Sequence, residues 1–132
     1  MHIIPLYAAI LALFFVLLSI RTIRLRRQLK ASLGDAGNQA LLRAVRAHSN
    51  FAEYAPLSLL LLCFVELSGA PSLFTHALAI CLIAGRLSHA YGVSQIEENF
   101  RFRVVGMVMT FSVMVGASLF LLALYVTGLL PT

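Results

Sequence analysis

IIPLYAAILALFFVLLSI, residues 3–20, carries no charged side chain, and RTIRLRRQLK, residues 21–30, follows it with Arg21, Arg24, Arg26, Arg27 and Lys30. A helix that crosses a bilayer needs about 20 apolar residues. This run supplies nearly all of them, and Pro5 stands in the first turn, where proline is tolerated. The positive charge lies after the apolar run rather than before it, so the segment reads as a spanning helix and not as a cleaved leader.

The rest of the chain has the same character. Of 132 residues, 61% are hydrophobic and only 11% charged, and the mean hydropathy is +0.93, more apolar surface than a water-soluble domain of this size can bury. The chain therefore reads as one all-α domain, an integral membrane four-helix bundle with helices over about 3–28, 40–67, 73–91 and 101–130. An open sheet would leave backbone groups unpaired in lipid and is excluded. Residues 32–39, with Gly34, Asp35, Gly37 and Asn38, have turn chemistry, as do 68–72 with Gly69 and Pro71, and 92–99 are assigned to a third loop. The second helix would be about 42 Å long against a hydrocarbon core of ~30 Å, so its polar first half is expected at or beyond the interface.

All ten Lys and Arg lie in or beside the first and third loops. The positive-inside tendency places those loops in the cytoplasm and both termini on the other side, as four crossings require. The net charge of +5 does not point to nucleic acid, because the basic residues cluster between apolar spans. Cys63 and Cys81 sit inside apolar runs and read as packing residues.

Charges within a spanning helix are costly and call for explanation. Arg43, Arg46, Asn50 and Glu53 are spaced three, four and three apart, which at about 100° per residue confines them to a stripe of roughly 80°. The bland account is a snorkelled, ion-paired helix end. Glu53, deepest and followed by an apolar run, needs a cation, either Arg46 or the ammonium of a ligand. Arg86, His89 and Tyr91 at the end of the third helix, and Arg101 and Arg103 at the start of the fourth, fall at the same membrane side. They could complete a basic, hydroxyl-bearing pocket or serve as anchors for anionic headgroups. His48 falls on the far side of its helix from the stripe. No paired histidine spacing supports haem, and no Cys and His spacing supports a metal.

RAVRAHSNFAEYAP, residues 43–56, resembles the R-x-x-x-N-x-x-E-x-x-P signature of the second helix in the MAPEG family, the membrane-associated proteins of eicosanoid and glutathione metabolism. GRLSHAYG, residues 85–92, is similar to the third-helix motif of bacterial members, and RFRVVGM, residues 101–107, also matches. The resemblance covers nearly the whole chain. It implies a homotrimer in the bacterial inner membrane that binds glutathione between subunits, near the cytoplasmic face. By motif, Arg46, Asn50 and Glu53 would bind glutathione, and Tyr54 is similar to a tyrosine of the leukotriene C synthases. Arg43, Arg86, His89 and Tyr91 are added as cofactor-binding candidates from the shared pocket. The family's thiolate-stabilising arginine corresponds to Arg103, with Arg101 as the alternative. His89 and Tyr91 stand where the eicosanoid-synthesising members have tyrosines, so their substrates are not implied.

The leading expectation is thus a glutathione transferase or peroxidase acting on hydrophobic electrophiles, with membrane lipids and further copies of itself as partners. A non-catalytic lipid-binding or scaffold protein is the alternative. A small multidrug exporter is disfavoured, because Glu53 lies on an arginine-bearing face.

Overall fold

The computed structural model describes residues 3–128 and contains four helices: α1 (Ile4–Gln28), α2 (Gln39–Leu67), α3 (Ser72–Ser94) and α4 (Phe100–Val126). Each is long and apolar enough to cross a membrane. The ends follow local chemistry. Pro5 lies in the first turn of α1; the Asn38 side chain accepts from the Leu41 amide and caps α2, and Asn99 does the same for α4 through the Arg101 amide. Two boundaries differ from expectation by more than one residue. α3 runs past Tyr91 and Gly92 to Ser94, shortening the third loop to 95–99, and α4 gives way to its cap at Thr127. The expected extension of the last helix to residue 130 ends outside the described residues.

The bundle is apolar on its outer surface as well as in its core. Leu6, Leu13 and Leu17 of α1 and Val108, Leu119 and Leu122 of α4 are exposed around its waist, where acyl chains are the fitting solvent. α2 and α3 form the middle, α1 flanks α2, and α4 packs most closely on α3. That close approach depends on glycine. A Cβ on Gly106 would lie 2.5 Å from the His89 amide nitrogen and 2.6 Å from the Gly85 carbonyl oxygen, and one on Gly92 would lie 2.9 Å from the Arg103 amide nitrogen.

One end is tied by Glu66, whose carboxylate accepts from the Ile3 and Ile4 amides at the start of α1, a favourable place for negative charge. Tyr7 and His76 Nδ1 share a hydrogen bond of 2.7 Å nearby. The other end collects the C-termini of α1 and α3 and the N-termini of α2 and α4. Arg21 donates there to Ser94.

Candidate functional site

At that second end a cleft of about 500 Å³ opens between α2, α3 and the start of α4. The stripe on α2 lies in it as the helical spacing requires: Arg43, Arg46, Asn50 and Glu53 all line it, joined by His89 from α3 and Arg103 from α4. Arg46 and Glu53 are exposed on its open side, and Arg43 and Asn50 are half-buried. Arg46 and Glu53 form no ion pair with each other; both salt bridges among the described residues go to Glu98.

Glu98 is the component that sequence reasoning missed. It stands in the 95–99 loop, with Oε2 3.0 Å from Arg43 Nη1 and Oε1 3.0 Å from Arg103 Nη1. Arg43 also donates to the carbonyls of Val93 at 3.2 Å and Ile96 at 3.3 Å, so one guanidinium fastens the loop to α2. The available signal was the adjacent acidic residues Glu97 and Glu98 in a loop next to the basic starts of α2 and α4. Gln39 and Ser49, on the same face of α2 as the stripe, complete the wall and were also passed over.

Four expected site residues do not line the cleft. Arg86 is 1% exposed and turns inward. Its Nε donates to Thr110 Oγ1 at 3.1 Å, its Nη1 to Asn50 Oδ1 at 2.9 Å, and its guanidinium lies 5.7 Å from the Tyr54 ring centroid. Arg86 therefore holds Asn50 from behind and cannot touch a ligand while so engaged. Tyr54 is placed under that guanidinium and edge-on to Phe111. Tyr91 is exposed and packs edge-on against Phe102, because α3 has carried it around to the outer face. Arg101 is also exposed, 200° round α4 from Arg103 at the usual 100° per residue. His48 stacks on Phe15 and shares a 3.1 Å hydrogen bond with Ser19, on the α1 side of α2. Among the described residues no three His, Cys, Asp or Glu gather as a metal site would require.

Burial pushes the Glu98 carboxyl up, but the hydrogen bonds and positive charges of Arg43 and Arg103 outweigh it and hold the group below the ordinary carboxylate range. Since the folded value is the depressed one, the bridge contributes fully above the unfolded glutamate value of about 4.3 and is lost as pH falls through the folded value. A carbon-detected NMR titration of Glu98 should therefore give a midpoint below 4.3. Amide exchange in 95–99 should quicken over the same interval; a midpoint at or above that of a free glutamate would contradict the double bridge.

Four apolar helices of membrane-spanning length, three of which enclose a cleft of arginines, carboxylates and amides at one end, define an integral membrane protein with a polar recess at one end of its bundle. The chain belongs to the MAPEG family, whose model matches residues 4–125. It is similar to the inner membrane protein YecN of Escherichia coli (strain K12), 40% identical over 102 residues that cover 77% of this chain and 76% of that protein. YecN of Escherichia coli O6:H1 is similar to the same extent. No solved structure matches the chain.

Proposed function

We propose that this protein is a glutathione transferase of the bacterial inner membrane, with peroxidase-like capacity, that acts on hydrophobic electrophiles. The observation that carries the reading is the convergence of Arg43, Arg46, Asn50, Glu53 and Arg103 on one cleft. Glutathione has two carboxylates, one ammonium and a thiol. Guanidiniums suit the carboxylates and Glu53 suits the ammonium. Of the two arginines at the start of α4, Arg103 is the one in the cleft, and it takes the role of thiolate stabiliser. The thiol proton leaves to water in the open recess, the thiolate attacks the electrophilic carbon, and a carbon–sulfur bond forms as the leaving group departs with its electron pair. The electrophile arrives through the lipid.

A homotrimer suits the same geometry, since Arg46 and Glu53 stand exposed on the single chain and a neighbouring copy against this face would close the recess. The reading places the cleft end and the loops at 29–38 and 95–99 in the cytoplasm, with both termini on the other side. Detergent-purified protein is expected to conjugate glutathione to a model aryl halide with saturation in both substrates, and to bind glutathione by calorimetry. Protein that does neither is no glutathione transferase. Retained anionic phospholipid that glutathione does not displace, seen by native mass spectrometry, would then favour the lipid-binding alternative.

A further inference from the structure

The cleft already contains a carboxylate where an anionic ligand would be drawn. Glu98 spans Arg43 and Arg103, 3.0 Å from each, and its side chain is only 11% exposed. Three guanidiniums line the recess, from Arg43, Arg46 and Arg103, against the two carboxylates of Glu53 and Glu98. With Glu98 ionised, the charged side chains leave one net positive charge. Without it there would be two, and Arg43 and Arg103 would form an open fork for a second anionic group.

We infer that Glu98 is a specificity-determining residue, an internal counter-anion that pre-neutralises Arg43 and Arg103. The recess thereby takes up the thiol form, a zwitterion of single net negative charge, and discriminates against anions that arrive with a further charge; the thiolate forms only after binding, beside the Arg103 nitrogens that Glu98 does not engage. A ligand carrying an additional anionic group near Arg103 must either face Glu98 or expel it from both arginines. Like charges brought together in a recess are a strong source of discrimination. Expulsion does not require the loop to unfold, because Arg43 also grips the Val93 and Ile96 carbonyls. This deepens the reading of the cleft as a glutathione site and rests on it for the first pair of probes.

Glutathione at neutral pH has a net charge of minus one, and its S-sulfonate adds one negative charge at sulfur. Calorimetry on the full-length protein in detergent should show that wild type prefers glutathione. Glu98→Gln keeps the shape of the side chain and removes its charge. It should shift the ratio of the two dissociation constants toward the S-sulfonate by about tenfold, or ~1.4 kcal/mol. Glu98→Asp, which restores the charge, should return the ratio toward wild type. An unchanged ratio in Glu98→Gln, or equal weakening of both ligands, would overturn the inference, the latter because it makes Glu98 a mere strut for the two arginines. Inorganic pyrophosphate separates this result from the fate of the proposed function. Even if wild type binds no glutathione, Glu98→Gln should bind pyrophosphate at least about tenfold more tightly than wild type. Equal pyrophosphate affinity would count against a resident counter-anion.

Discussion

Replacing Arg103 with alanine is expected, under the proposed transferase function, to lower kcat/KM for conjugation by about a hundredfold at neutral pH, with glutathione affinity changed far less. A thiol near pKa 8.5 is mostly protonated at neutral pH, and a fixed guanidinium beside sulfur favours the thiolate before the electrophile arrives. Arg103 is placed to act because only its Nη1 is engaged by Glu98. The variant should spare the rest of the site, since Glu98 keeps Arg43 and Arg43 keeps the loop. Activity of Arg103→Ala should recover as pH rises toward the free-thiol value, and Arg103→Lys, which retains a positive charge, should be intermediate. The checks are a pH profile of kcat/KM and the ultraviolet absorbance of the bound thiolate. Arg101→Ala serves as the contrast, because that side chain is exposed and outside the cleft. A larger loss from Arg101→Ala than from Arg103→Ala would reverse the assignment.

The second large effect is on stability. Gly106→Ala adds one methyl where α4 meets α3, and the atoms it would meet are mostly backbone: the His89 amide nitrogen at 2.5 Å and the Gly85 carbonyl oxygen at 2.6 Å. No rotamer change relieves such contacts, so the helices must separate, disturbing the placement of His89 and Arg103 together. Overpacking of this kind costs about 1–3 kcal/mol and sometimes more, and the upper end is expected here. Gly116→Ala, on the same helix, meets only Leu78 Cδ2 at 3.8 Å, an ordinary contact, and should be neutral or slightly stabilising through helix propensity. Thermal unfolding in detergent, followed by circular dichroism, compares the two. Equal midpoints would mean that the helices do not approach so closely.

Much of this architecture was legible without coordinates. Four apolar stretches of near-membrane length and the grouping of basic residues in alternate loops leave a helical bundle as the solution, because lipid offers backbone groups no water and a helix of about 20 residues satisfies them within its own segment. The spacing of Arg43, Arg46, Asn50 and Glu53 likewise put them on one face, since a helix turns by about 100° per residue whatever packs against it. α3 runs beyond its sequence-expected end for a local reason. Gly92 looks like a helix breaker, yet it is a point where α3 and α4 come together, and packing carries the helix past it.

The remaining questions depended on how each helix is rotated against its neighbours, which no periodicity within one helix reports. Arg101 and Arg103 lie about 200° apart on α4, so at most one can face the recess. Contact of the Gly106 surface with α3 selects Arg103. The same packing turns Arg86 inward to Thr110 and Asn50, leaves Tyr91 on the outside, and brings Glu98 across from a short loop to two arginines on different helices. Spans and stripes follow from single-helix geometry and the cost of charge in lipid; partners across the cleft follow from side chains that meet only after the helices have packed.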